Sequence, residues 1–272
     1  MVFVFDVDGT LLDDKEKLSE ENRRAVVEAS KVANVILASG RMLKSVLKFS
    51  RESFGREFPT IAYNGGVVYI PERGVVHQKG IKPETAVSVI EELRKRGVHR
   101  QAYVNDELLG EEDNDEIRAY AEHSRVDYRI VPDLAEVVKE KGSTKILAIS
   151  EPDVLDEIRD ELSRVFDDLR IFKSFPTYLD FVPRDVGKAE ALKVLAEEMG
   201  FDLDEIVAFG DNDNDADMIR EVGFGVAMGN ATPVVREVAD FIAPSNNESG
   251  VAKVVFDILS GHLDPFSGVD RS

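Results

Sequence analysis

The chain has 272 residues, enough for one large or two small domains with a sizeable buried core. It is 43% hydrophobic and 32% charged, and its net charge of −19 argues against nucleic acid, whose binders need a basic face. The absence of cysteine excludes disulfides and thiolate metal sites, while His77, His99, His123 and His262 are scattered without a metal-ligand spacing. No apolar run approaches the ~18 residues of a membrane span. The opening run after Met1 reads as a core strand rather than a signal peptide, so the expected location is cytoplasmic. Two glutamines (Gln78, Gln101) amid many Glu, Lys and Arg, with no Trp, lean towards a thermophile.

In chain order, Val2–Phe5 predicts a buried strand that runs into Asp6-Val7-Asp8-Gly9-Thr10. Strand alternation points Asp6 and Asp8 the same way, and Gly9 permits a tight reversal after them. Such a pair suits a hard cation held by oxygen ligands, such as Mg²⁺, or else makes a turn with two solvated acids. Ser19-Glu20-Glu21-Asn22 caps a helix with an apolar stripe of Ala25, Val26, Ala29 and Val32. The strand Val35–Ala38 ends in Ser39-Gly40-Arg41 and is followed by a helix through Met42, Val46, Leu47 and Phe49. Ser39 offers either a phosphate-binding hydroxyl or a helix N-cap. A third strand, Thr60–Tyr63, breaks at Asn64-Gly65-Gly66, and Val67–Ile70 with Val75–His77 make a hairpin. The β-α-β-α-β order predicts a doubly wound parallel sheet.

The pattern changes near Gly80-Ile81-Lys82-Pro83. Elements in the order αββαβαβαββ follow as far as Val182-Pro183, which predicts an inserted α+β module. The parallel pattern then resumes with a helix over Lys188–Met199. A strand over Ile206–Phe209 ends in Gly210-Asp211-Asn212-Asp213-Asn214-Asp215, and further α/β elements run to Leu259. Gly261–Ser272 reads as a polar, loose tail. The acidic run at 211–215 is not an EF-hand loop, because Ala216 and Val222 stand where Gly and Glu are required.

In an open α/β sheet, ligands bind beyond the carboxyl ends of the strands. Asp6, Asp8, Ser39, Asp211 and Asp215 fall at such ends, and Lys188 opens the helix before the strand at 206–209. Two acid pairs, a hydroxyl and an ammonium suit phosphoryl transfer. Lys188 alone also fits an ordinary solvated helix lysine.

These four clusters, Asp6-Val7-Asp8-Gly9-Thr10, Ser39-Gly40-Arg41, Lys188 and Gly210–Asp215, are similar to the four motifs of the haloacid dehalogenase (HAD) superfamily. The order of the insert resembles the type IIB cap of the Cof-type sugar phosphatases, as do Asn64-Gly65-Gly66 and Ala227-Met228-Gly229-Asn230-Ala231. Ser39 replaces the commoner Thr, and Val186-Gly187-Lys188-Ala189 departs from a Ser-Lys-Gly surround.

The resemblance implies an α/β fold with a Rossmann-like doubly wound core (residues 1–80 and 183–272) and an α+β cap (81–182). It further implies a Mg²⁺-dependent phosphomonoesterase that works through an aspartyl-phosphate. Asp6 would be the nucleophile and Asp8 the general acid and base. The metal would be held by Asp6, the Asp8 carbonyl and Asp211, with Asp215 closing the shell directly or through water, and the phosphoryl group by Ser39, Gly40, Lys188 and Asn214. Arg41 reads equally as a substrate contact or a surface residue. The expected partner is a small phosphorylated metabolite such as a sugar phosphate. No nucleic acid or membrane is expected, and the protein is expected to be a monomer or a weak homo-oligomer. The alternatives are a phosphomutase of the same superfamily, a non-hydrolytic phospho-acceptor module and an Asp-x-Asp nucleotide-sugar transferase.

Overall fold

The computed structural model describes residues 1–267. Contacts divide the chain into two compact units. The first comprises Met1–Gly40, Val46–His77 and the chain from Gly187 onward; the second comprises Gln78–Val186 together with Arg41–Ser45. The seams therefore lie a few residues outside the change of sequence pattern.

The first unit is built on one sheet, in the spatial order 241–242, 224–227, 206–210, 2–6, 34–38, 60–62, 67–70, 74–78. The strands from 241–242 to 60–62 pair in parallel, and Val67–Ile70 runs antiparallel to Thr60–Ala62. Alternation within the central strands explains why they read as unbroken apolar runs. Phe3, Phe5, Val35, Leu37, Val207 and Phe209 pack on the side of the helices Glu20–Ala29 and Gly250–Leu259. Val2, Val4, Ile36, Ala38, Ile206 and Ala208 pack on the side of Lys188–Met199 and Ala216–Glu221. Both faces are covered, as a parallel sheet requires. From the central strand 2–6 the chain winds outward one way through 34–38, and later the other way through 206–210. That reversal is a switch point of the kind at which open α/β sheets bind ligands beyond the carboxyl ends of their strands.

The second unit is a six-stranded sheet in the order 169–175, 178–183, 146–149, 99–104, 107–110, 128–130. It is antiparallel except where Leu108–Gly110 pairs with Tyr128–Ile130. Helices Pro83–Lys95, Leu134–Lys141 and Pro152–Leu162 cover one face, contributing Val89, Leu93, Val138, Leu155 and Ile158 to a core with Ala102, Ile146, Leu179 and Phe181. The element order matches the αββαβαβαββ reading.

Two local expectations are corrected. The strand ends at Asp6, and Asp8 lies in the following turn at φ −84°, ψ 122°, so alternation does not orient the two acids together. Ser39 is not a helix N-cap: the helix begins only at Leu43, and the stretch from Ser39 to Met42 is irregular. Of the tail, Leu263 packs against the first unit's core, while 268–272 lie outside the described residues. No helix among the described residues is long and apolar enough to cross a membrane.

Candidate active site

Asp6, the last residue of the central strand, is 5% exposed. Val7–Leu11 form a tight turn closed by the Leu12 N–H donating to the Val7 carbonyl at 2.9 Å. Gly9 sits at φ +79°, and a Cβ there would lie 2.4 Å from Asp211 Oδ2, so both backbone sign and space demand glycine. Thr10 donates its hydroxyl to Asp211 Oδ1 at 2.9 Å, and Asn230 Nδ2 donates to the Gly9 carbonyl at 2.8 Å. The first acidic motif is thereby laid against the second. Asp8 points its residue surface to solvent.

On the adjacent strand end, Asp215 is buried and fully engaged. Its Oδ2 accepts from the N–H groups of Asp211 and Asn212, each at 3.1 Å, and its Oδ1 accepts from Lys188 Nζ at 2.6 Å. Lys188 also donates to Asp6 Oδ1 at 2.5 Å. It opens the helix Lys188–Met199 and is 1% exposed, which overturns the solvated-lysine reading. Asp6, Asp211 and Asp215 each bring one carboxylate oxygen within 4.8 Å of the others.

Three carboxylates with one ammonium leave uncompensated negative charge in a buried place. Burial pushes the Asp6 carboxyl well above its ordinary range; Lys188 opposes this, and Asp215, Asp211 and Asp8 add to it. Asp211 is pushed up to about 7 by burial and the charge of Asp215, against the Thr10 hydrogen bond and Lys188. Burial pulls the Lys188 ammonium down, but Asp215 and Asp6 more than offset that and raise it.

The phosphate-binding candidates converge through Asn64. The Asn64 N–H donates to the Ser39 carbonyl at 3.0 Å, and its Oδ1 accepts from Asn214 Nδ2 at 2.8 Å. A Cβ on Gly40 would sit 3.0 Å from the same Oδ1. Ser39 is fully buried, with its N–H on the Ile61 carbonyl at 2.8 Å. Asn64 holds φ +56°, a left-handed conformation that Asn tolerates. Gly65, at φ +108°, brings its backbone so close to Gly187 that a Cβ would lie 2.2 Å from the Gly187 carbonyl oxygen. One turn thus holds Ser39-Gly40, Asn214 and the start of the Lys188 helix together. Gly65→Ala is expected to destabilise the protein by about 2 kcal/mol or more, because strain and steric overlap act together. It should also lower activity by displacing Lys188; an unchanged denaturation midpoint would contradict that packing.

The structure brings together Asp6, Ser39, Gly40, Lys188, Asp211, Asn214 and Asp215. The carboxylate of Asp8 does not join the acid cluster, and Arg41 belongs to the second unit. Thr10, Asn64 and Asn230 acquire structural roles for which the sequence offered only the residue pattern. For Asn64 the one available signal was an Asn-Gly-Gly turn directly after a strand.

The pattern of the haloacid dehalogenase-like hydrolase family matches residues 3–255. The 5-amino-6-(5-phospho-D-ribitylamino)uracil phosphatase YcsE of Bacillus subtilis is 30% identical over 255 residues, covering 93% of this chain and 94% of that protein. A crystal structure of a Thermotoga maritima protein superposes with a TM-score of 0.88 at 50% identity, over 94% of this chain and 97% of the other. A haloacid dehalogenase-like hydrolase from Bacteroides thetaiotaomicron gives 0.87 at 29%, over 94% and 98%.

Proposed function

Because this chain belongs to the haloacid dehalogenase-like hydrolases and is a phosphatase, we propose that it is a Mg²⁺-dependent enzyme acting on small phosphomonoesters, sugar phosphates among them, through an aspartyl-phosphate on Asp6. The observation that carries this reading is the buried trio Asp6, Asp211 and Asp215 with Lys188 set between two of its members.

The donor set fits the metal. All-oxygen donors, excess negative charge and carboxyls pushed upward are what a hard dication would relieve. Asp6, Asp211 and the Asp8 carbonyl would hold it. Both oxygens of Asp215 are already committed, so Asp215 would act through a water while orienting Lys188 and Asp211. Bound Mg²⁺ would neutralise charge on the phosphoryl oxygens and on the nucleophile.

Asp6 Oδ1 is held by Lys188, whereas Oδ2 accepts no hydrogen bond from the described residues. An Asp6 oxygen attacks phosphorus, the bond to the leaving oxygen breaks, and Asp8 gives that oxygen its proton. Water then attacks the phosphorus of the acyl-phosphate, Asp8 takes up its proton, and inorganic phosphate and the Asp6 carboxylate are released. The solvent-facing Asp8, outside the acid cluster, suits proton exchange in both steps. Lys188, Asn214 and the Ser39-Gly40 backbone and hydroxyl would hold the equatorial oxygens.

Release of para-nitrophenol from para-nitrophenyl phosphate, with and without Mg²⁺, tests the reading. Turnover that is indifferent to Mg²⁺ and to chelator sinks the metal assignment. No turnover of this ester or of a sugar-phosphate panel sinks the proposal that small phosphomonoesters are its substrates.

The raised carboxyls also fix a pH dependence. An acid whose folded pKa exceeds its unfolded value stabilises the fold fully below the unfolded pKa, and that stability is lost as pH rises through the folded pKa. For Asp211 the window runs from 3.8 to about 7. Metal-free protein should therefore melt several degrees lower at pH 8 than at pH 5, and Mg²⁺ should raise the melting temperature more at pH 8. Asp211→Asn should flatten the slope and remove most of the Mg²⁺ effect. A slope of the opposite sign would contradict the carboxyl environment described.

A further inference from the structure

The turn that carries Asp8 meets three asparagines through its backbone oxygens. Asn230 Nδ2 donates to the Gly9 carbonyl at 2.8 Å, Asn22 Nδ2 to the Leu11 carbonyl at 3.1 Å and Asn246 Nδ2 to the Leu12 carbonyl at 3.1 Å. The three are themselves held. Asn22 is fully buried on the helix Glu20–Ala29, and its Oδ1 accepts from the Ala252 N–H at 3.0 Å. Asn230 Oδ1 accepts from the Asn246 N–H at 3.0 Å, and Asn246 Nδ2 donates a second bond to Asp14 Oδ1 at 3.0 Å. The loops that present Asn230 and Asn246 are pressed together at two glycines. A Cβ on Gly229 would lie 2.6 Å from the Ser245 nitrogen, and one on Gly250 would lie 2.0 Å from the Pro244 carbonyl oxygen. All of these residues belong to the first unit.

Two features mark this arrangement as more than packing. Asn246 is 2% exposed, yet its Oδ1 has no hydrogen-bond partner among the described residues. A buried acceptor without a partner costs stability, so what the side chain contributes lies at its amide end. The groups facing that end, a carbonyl and a carboxylate, only accept, which fixes the orientation of the carboxamide. The second feature is that all three donors are neutral. A Lys or Arg in these places would bring another cation close to the acid cluster, whereas a carboxamide donates without adding charge. Asp8 lies between Asp6, anchored in the strand, and Gly9, whose lack of a Cβ makes it the most easily turned residue of the segment. Holding the Gly9 carbonyl removes that freedom one residue beyond Asp8.

We propose that Asn22, Asn230 and Asn246 are positioning residues, which hold the turn over 7–12 by its carbonyls and so keep Asp8 where it can give its proton to the leaving oxygen. The proposal rests on the reading of Asp8 given above and adds what sets its place. None of the three asparagines touches the reacting atoms; they act through the backbone of the turn.

The test uses full-length protein with Mg²⁺ and two esters. Para-nitrophenyl phosphate has a leaving oxygen that departs readily without a proton, and glycerol 3-phosphate has one that needs it. The ratio kcat/KM covers the steps through departure of the leaving group. Asp8→Asn is the reference, and its loss should be at least about tenfold larger for glycerol 3-phosphate than for the aryl ester. Asn230→Ala and Asn246→Ala should each lower kcat/KM about 30- to 100-fold for glycerol 3-phosphate and no more than about threefold for the aryl ester, since a displacement of about 1 Å can cost about 10²-fold. Both variants should melt within a few degrees of wild type. Equal losses on the two esters, or none, overturn the proposal, and the reading of Asp8 survives if Asp8→Asn shows its selective loss. If Asp8→Asn shows no selective loss, that reading has failed and the proposal falls with it. If wild type turns over only one of the esters or neither, amide hydrogen exchange decides. The Leu12 N–H, which donates to the Val7 carbonyl at 2.9 Å, should then exchange at least about tenfold faster in either variant, and unchanged exchange overturns the proposal.

Discussion

Replacing Asp6 with Asn is expected to lower kcat by at least about 10⁴-fold while leaving the protein folded, since under the proposed mechanism the substitution removes the covalent nucleophile at nearly constant shape. The residue terminates the central strand, is almost fully buried, and shares Lys188 with Asp215. A neutral amide there also removes one of three crowded acids. The metal-free variant should therefore melt no lower than wild type, and should melt higher at pH 8. Steady-state assays at saturating Mg²⁺ and thermal denaturation of the same preparation read both effects. Activity within tenfold of wild type would sink the assignment of Asp6.

Lys188→Met is expected to carry the other large penalty, on stability as well as rate. Lys188 is buried between Asp6 Oδ1 and Asp215 Oδ1, so its removal leaves two buried carboxylates without their cation. Breaking a buried pair in this way costs about 3–5 kcal/mol. Magnesium should recover part of that loss, because a dication near Asp6 and Asp211 replaces charge that the ammonium supplied. The rate should fall about 10²–10³-fold even at high Mg²⁺, since the proposed mechanism loses a donor to the phosphoryl oxygens. Chemical denaturation with and without Mg²⁺ separates the two effects. A variant as stable as wild type in the metal-free state would contradict the buried bridge.

Much of this protein is legible from local pattern. The apolar runs at Val2–Phe5, Val35–Ala38 and Ile206–Phe209, each ending in polar residues, sufficed to place the strands and the chemistry at their carboxyl ends. The change of rhythm after Gly80 announced the second unit, because αββαβαβαββ cannot continue a parallel sheet. Where the reading failed, a neighbour distant in sequence had intervened. Asp8 leaves the strand because the turn at Gly9 is pressed against Asp211, and no alternation rule sees a partner two hundred residues away. Ser39 is held by Asn64 and Ile61 instead of capping the next helix.

Local pattern carries the two folds, the strand ends that hold the polar clusters, and the kinds of group present there: carboxylates, a hydroxyl and an amine. These follow from periodicity and residue type, which are local properties. Folding alone made Lys188 a buried bridge and not a surface lysine. It also decided that Asp215 spends both oxygens on positioning, and that Asp211 is pushed up to about 7. The physical reason is that burial and Coulomb interaction depend on distance in space. Lys188 meets Asp6 across 182 positions of sequence and Asp215 across 27, and nothing in either segment alone records that they will share one dry site.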